Sequence, residues 1–276
     1  MGVAAITEKA RAKINLYLDV TGEKNGMHTL QSIVKFLPIA NTVTIKKRIG
    51  LRLEFRNPIE NLKTEETNAC KAAKTIIDTY DLPGAEIFIE EDIPAKEGLG
   101  GSSATAAAIA KGLQKLYELP EFGREFLVKL GGDVPCQYLD CDCLMTGTGE
   151  NITPVTLPKT DIVLLLGAGG VSTKEVFALY DTLGGGDKGI PDAELIKMYA
   201  EGEKSPFNAL AEASTRLNPA VKSNLERLKN SGFSRCGMTG SGSGVFAIGE
   251  GEGFENALCK LIDIYGERDI TVLRNI

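Results

Sequence analysis

The stretch Pro94-Ala-Lys-Glu-Gly98-Leu-Gly100-Gly101-Ser102-Ser103-Ala104 leaves this chain few choices of local fold. Ahead of it, Ala85–Glu90 alternates apolar and polar residues, the period of a half-buried strand. Behind it, Ala106, Ala107, Ala108, Ile109, Leu113 and Leu116 keep helical apolar spacing up to the stop at Leu119-Pro120. Strand, glycine turn and helix N-terminus together make an anion site. The first-turn N–H groups of a helix lack intrahelical partners and carry the positive end of its dipole. Glycines let the backbone close around phosphate oxygens, and Ser102 or Ser103 can cap the helix or donate a hydroxyl. The alternative at this level is a plain glycine-containing helix entry with no ligand.

Three familiar nucleotide motifs do not fit. A Walker-type loop needs lysine where Gly101 stands, and the dinucleotide pattern needs glycine where Ser103 stands. The H-R-D and D-F-G tripeptides of protein kinases are absent.

At 276 residues the chain can build one or two domains, and 43% hydrophobic with 25% charged residues is the profile of a globular protein. A net charge of −6 and an acidic pI near 5.1 argue against a general nucleic-acid binder or a basic membrane-surface protein. Glu8, Lys9 and Arg11 interrupt any secretory apolar core after Met1–Ile6, and Ile6 stands where a myristoylation signal needs Ser or Thr. The longest apolar run, Ile162 to Val171, is too short to span a bilayer. A cytoplasmic location is expected. Cys70, Cys136, Cys141, Cys143, Cys236 and Cys259 form no C-x-x-C pair, and the sole histidine, His28, is remote from the Cys136–Cys143 cluster. Reduced thiols are expected rather than a zinc site.

Residues Ala10–Val20 alternate Ile14, Leu16 and Leu18 with Lys13, Asn15 and Asp19, predicting a strand with one buried and one polar face. Strands over Val43–Ile49 and Leu51–Phe55 follow, then a helix around Glu66–Tyr80 and another around Gly123–Leu130. Beyond Thr146–Glu150, the pattern predicts strands at Asp161–Leu166, Gly244–Ile248 and Ile270–Leu273. Helices are expected around Val176–Tyr180, Ala193–Ala200, Ala209–Leu217, Pro219–Asn230 and Gly253–Tyr265. Gly184-Gly185-Gly186 reads as a surface loop. The expectation is an α+β chain in two halves, 1–150 and 151–276, with a ligand cleft between them.

Phosphoryl transfer asks a protein to hold phosphates, neutralise charge and aim a hydroxyl. Lys13, beside Asn15, could supply a fixed ammonium, or could merely decorate a wet strand face. Asp133 in Leu130-Gly-Gly-Asp-Val-Pro135 could accept or orient a hydroxyl proton, or could cap a helix. Spacing alone leaves both alternatives open.

The order of A-K-I-N-L at Ala12–Leu16, the glycine loop, L-G-G-D-V-P and Met238-Thr239-Gly240-Ser241-Gly242-Ser243-Gly244 resembles the GHMP small-molecule kinases. Thr21-Gly22, Gly26-Met27-His28, Ser172-Thr173 with Phe177, and Pro206-Phe207-Asn208 extend that resemblance to the branch acting on a cytidine-diphosphate-linked polyol in isoprenoid precursor synthesis. The resemblance implies the two-domain GHMP kinase fold, with a first ATP-binding domain and an active-site cleft. It implies ATP and Mg²⁺ as cofactors, a small-molecule substrate, and neither nucleic acid nor membrane as partner. Carried over, Lys13 and Asp133 are the catalytic pair. Pro94, Gly98, Leu99, Gly100, Gly101, Ser102 and Ser103 hold ATP, with Ser103 a candidate Mg²⁺ ligand. Asn15, Met27, His28, Thr173, Phe177, Thr239 and Gly240 meet the substrate, His28 reading the cytosine edge and Phe177 stacking on the ring. Met27 stands where the family carries an aromatic, the loop has one glycine fewer, and Glu97 brings a carboxylate next to the expected phosphates. Other substrates of the family (mevalonate-type, homoserine or sugar) and a non-catalytic metabolite sensor remain open at this stage.

Overall fold

The computed structural model describes residues 5–57, 63–185, 189–202 and 204–276; the Met1–Ala4 part of the N-terminal reading and Gly186 of the glycine loop lie outside them. The chain opens with two long antiparallel strands, β1 (Ala5–Lys24) and β2 (Met27–Lys47). Their turn is Asn25-Gly26, with φ of 54° and 75°. Positive φ at both central residues is the type I′ geometry that matches strand twist. β3 (Gly50–Phe55), α1 (Asn68–Thr79), β4 (Gly84–Glu90), α2 (Gly101–Tyr117), α3 (Arg124–Leu130) and α4 (Val134–Leu139) follow, then the hairpin of β5 (Cys143–Gly147) and β6 (Asn151–Pro154). β2 is the hub of this sheet, pairing with β1, β4 and β5.

The strand expected at Val43–Ile49 is the end of β2, which starts far earlier. Its centre, Gln31–Leu37, is buried without a break, so no alternation marks it in the sequence. β1 likewise departs from the expected wet face: residues 12–20 are all buried, because α2 and α4 both pack against it. Ala104–Ala110 of α2 are buried in full, small side chains that bring the helix backbone close to the sheet.

The chain continues through β7 (Asp161–Leu165), α5 (Thr173–Thr182), α6 (Asp192–Ala200), the two-residue strand β8 (Phe207–Asn208), α7 (Ala211–Leu217), α8 (Pro219–Ser231), β9 (Cys236–Met238), β10 (Val245–Gly249), α9 (Gly251–Tyr265) and β11 (Ile270–Leu273). A second, antiparallel sheet runs β11-β7-β10-β9. Val176, Tyr180, Val221, Leu228, Phe254 and Leu261 from its helices share one core with Val163, Leu165, Val245 and Ala247. The architecture is α+β, as expected. The division at residue 150 falls inside the β5–β6 hairpin, and β8 adds in parallel to β1 at Tyr17 and Leu18. Leu195 and Tyr199 of α6 also join the first core. Among the described residues no helix is long and apolar enough to cross a membrane.

Glu150 fastens the β5–β6 turn to the tip of the β1–β2 hairpin. Its carboxylate accepts from the Thr148 backbone N–H (2.5 Å), the Thr148 hydroxyl (2.9 Å) and Lys24 Nζ (3.1 Å). Burial alone would raise its pKa, but backbone N–H groups, Thr148 and Lys24 outweigh that and bring it from 4.5 to about 2. A depressed carboxylate stabilises the fold above its ordinary pKa and loses that contribution as pH falls towards 2. Glu150→Gln should therefore lower the urea midpoint at pH 7 and flatten the acid limb between pH 4.5 and 2. Denaturation midpoints across that range check it.

Candidate active site

The glycine turn sits where the sequence places it, between the end of β4 and α2, and it rests against both halves. Leu99 buries its side chain in the first core, and its carbonyl accepts the Lys13 backbone N–H at 3.0 Å. Gly98 has φ +71°, and a Cβ there would lie 2.1 Å from the Thr239 carbonyl oxygen, so only glycine permits this approach. Gly100 precedes α2 with φ +74°, and no side chain caps the helix. Neither Ser102 nor Ser103 takes the capping role considered for it, so no side chain of the described residues caps the first-turn N–H groups. Asn41 braces the turn from below: its Oδ1 accepts from Asp92 and Ile93 N–H at 3.0 and 2.9 Å, and its Nδ2 donates to Thr105.

Lys13 and Asp133, distant in sequence, meet beside this turn. Lys13 Nζ lies 3.2 Å from Asp133 Oδ2 and donates to Asn15 Oδ1 at 2.6 Å. The ammonium is 3% exposed and the carboxylate 28%, so the pair presents its acidic member to solvent. Asp133 occupies the N-cap position of α4 but makes no capping hydrogen bond; its carboxylate is turned to the lysine instead. A Cβ on the neighbouring Gly131 would lie 3.6 Å from Ser103 Oγ, so the α2 N-terminus and the Asp133 turn face each other.

Asn15 is the joint of the site. Its Oδ1 accepts from Lys13 and from Gly240 N–H (3.0 Å), and its Nδ2 donates to Ser32 Oγ (2.7 Å), which donates to the Tyr17 carbonyl. Its backbone N–H donates to Thr239 Oγ1, which donates on to the Gly98 carbonyl at 3.1 Å. Asn15, Thr239 and Gly240 were expected among the substrate contacts. In the structure Asn15 and Thr239 are buried, and polar groups of all three join the network that holds Lys13 and the glycine turn in place.

At the far end of the hairpin, His28 stacks on Phe177 (centroids 4.6 Å apart, 24° between planes), and its Nε2 lies 2.8 Å from Asp181 Oδ1. Thr173 Oγ1 pairs with Ser241 Oγ at 2.8 Å, joining α5 to the second glycine loop. Met27 is not brought opposite Phe177. It lines a separate pocket of about 300 Å³ with Lys24, Glu125, Val128, Thr148 and Glu150, because neighbouring strand residues point to opposite faces.

Comparison with known proteins sets this geometry in a family. The GHMP kinase N-terminal domain model matches residues 68–140. The 4-diphosphocytidyl-2-C-methyl-D-erythritol kinase of Polaromonas naphthalenivorans (strain CJ2) is 33% identical, over 86% of this chain and 84% of its own length. That of Clostridium botulinum (strain Eklund 17B / Type B) is 32% identical, over 95% of this chain and 99% of its own. This chain is a GHMP kinase. A crystal structure of 4-(cytidine 5'-diphospho)-2C-methyl-D-erythritol kinase superposes with a TM-score of 0.76 at 28% identity, covering 97% of this chain and 98% of the other.

GHMP kinases use ATP as phosphoryl donor. A Cβ on Gly100 would press on Gln137 Nε2 (2.9 Å) and Lys13 Cε (3.0 Å), and both amide atoms of buried Gln137 lack partners among the described residues. Sequence reasoning missed Gln137 and Asn41, which carry no motif. Cys136 and Cys143, near Asp133, lie against each other; that contact and their burial push the Cys136 thiol well up, so it stays protonated. Asn15→Ala should take the neutral acceptor from Lys13, the partner from the Gly240 N–H and the donor from Ser32 Oγ, lowering stability by about 2–4 kcal/mol. Urea unfolding measures this, and loss of turnover in the folded fraction should accompany it.

Proposed function

We propose that this kinase transfers the γ-phosphoryl group of ATP to the 2-hydroxyl of 4-diphosphocytidyl-2-C-methyl-D-erythritol, a cytoplasmic step of non-mevalonate isoprenoid precursor synthesis. The observation that carries the chemistry is the 3.2 Å contact of Lys13 with Asp133 beside the uncapped α2 N-terminus. The names of the relatives point to the substrate.

In this reading the N–H groups from Gly98 to Ser103 cradle the phosphates, with Pro94 at the rim and Ser102 and Ser103 adding hydroxyls. Asp133 accepts or orients the hydroxyl proton of the alcohol, and Lys13 steadies charge on the transferring group. A loose transition state asks more of positioning than of a strong base. Among the described residues no cluster of three or more acidic, His or Cys side chains is poised for a metal. Mg²⁺ would then be held chiefly by phosphate and water oxygens, with Ser103 Oγ and Asp133 as the nearest protein donors.

A carboxylate only accepts, so His28 Nε2 carries hydrogen towards Asp181 and a neutral ring keeps Nδ1 as acceptor. That acceptor suits the exocyclic amine of cytosine and opposes the carbonyl of uracil. A base stacking on Phe177 displaces His28 or takes the ring's other face, with Thr173 beside it. The second reading, a GHMP kinase for a mevalonate-type, homoserine or sugar alcohol, rests on Met27 alone, which supplies no second aromatic, and the names of the relatives do not favour it.

A coupled ADP-release assay across these alcohols decides between the readings; turnover with a non-cytidine alcohol and none with the diphosphocytidyl compound would reverse the choice. Asp133→Asn should cut kcat by about 10²–10⁴-fold while affinity for an ATP analogue stays near that of the parent. The uridine analogue of the substrate should fall at least about tenfold in kcat/KM, and His28→Ala should erase that difference.

A further inference from the structure

Glu97 stands one residue before the glycine turn, where a carboxylate would repel a polyphosphate. The structure turns it away. Glu97 is 6% exposed, its Oε1 accepts the Gly167 N–H at 2.8 Å, and its Oε2 accepts from Ser243 Oγ at 2.9 Å. Ser243 Oγ in turn accepts the Gly170 N–H at 3.2 Å. The Glu97 carbonyl takes the Gly244 N–H at 3.2 Å, and a Cβ on Gly244 would lie only 2.4 Å from that oxygen. One residue of the first half is thus fastened to the end of β7, to the turn before α5 and to the second glycine loop.

Among the described residues no cation lies within ion-pair distance of this carboxylate. A buried charge held by neutral donors alone is costly, and a neutral side chain would hold the two segments together with less desolvation. What the charge adds is short, strong and directional hydrogen bonds. They act on the backbone immediately before Gly98, whose own carbonyl is held by Thr239. Lys13 and Asp133 are placed chiefly by Asn15 and α4, and they meet the turn through the Leu99 carbonyl and the Thr239 link, neither of which involves the Glu97 side chain.

We propose that Glu97 is a positioning residue that pre-sets the glycine turn against the C-terminal half, so that nucleotide affinity depends on it while the chemical step does not. The proposal rests on the reading of residues 98–103 as the ATP site. With the clip released, the turn has to be ordered by the nucleotide, and that cost appears as weaker ATP binding.

The test uses the full chain with Glu97→Ala, Glu97→Gln and Ser243→Ala. Affinity for a non-hydrolysable ATP analogue is measured by calorimetry, and steady-state kinetics vary ATP and the alcohol separately. Glu97→Ala should weaken ATP, in both Kd and KM, by about tenfold, with kcat at saturation within about threefold and the alcohol KM unmoved. Glu97→Gln should recover most of the loss, since an amide can accept from Gly167 and donate to Ser243. The double variant with Ser243→Ala should be no worse than Glu97→Ala, the non-additivity expected of one shared contact. If Glu97→Ala does not fold, Ser243→Ala alone carries the test and should weaken ATP by at least about threefold. A lowered melting temperature with ATP Kd within twofold would reduce Glu97 to a structural brace and overturn the proposal. Gly100→Ala separates the two levels of failure. Unchanged ATP affinity in that variant sinks the ATP-site reading itself, whereas weakened ATP there with normal affinity in Glu97→Ala sinks only the role of Glu97.

Discussion

A lysine ammonium shut away from water has to find a countercharge and enough acceptors, and the Lys13 site is built around that demand. Asp133 gives the charge and Asn15 gives the neutral acceptor. The same Asn15 oxygen also takes the Gly240 N–H, so satisfying the lysine draws the second glycine loop onto β1. Thr239 then reaches Gly98, and the glycine turn is fixed as a by-product of the same network. A polar chain of this kind is stable only when every member is engaged.

The glycine turn and α2 were legible because glycine, serine and alanine each have a strong local preference, and all agree. Lys13 and Asp133 were not legible as a pair from spacing. Each had an ordinary alternative, and only the order of motifs along the chain favoured the chemical one. The structure removes both alternatives, since Lys13 is buried and Asp133 caps nothing.

What stayed hidden has particular causes. The centre of β2, Gln31–Leu37, is buried throughout and lacks alternation, although Asn25-Gly26 was a hairpin signal in plain view. α4 is six residues long, too short for a helical period to declare itself. The direction of Glu97 is decided by groups 70 and 146 residues further along, which no local pattern encodes. Asn15, Thr239 and Gly240 stood out in the motifs, whereas the hydrogen bonds that tie them to Lys13 and to the glycine turn have no sequence signature.

The pairing of β8 with β1 carries one more consequence. A two-residue strand from late in the chain covers the outer edge of the first strand, while β6 closes a hairpin across the midpoint. Severing the polypeptide at residue 150 would therefore yield two fragments that each expose raw backbone donors and acceptors, a template for self-association. The two halves share one sheet through β8 and β1, and they are poor candidates for separate expression.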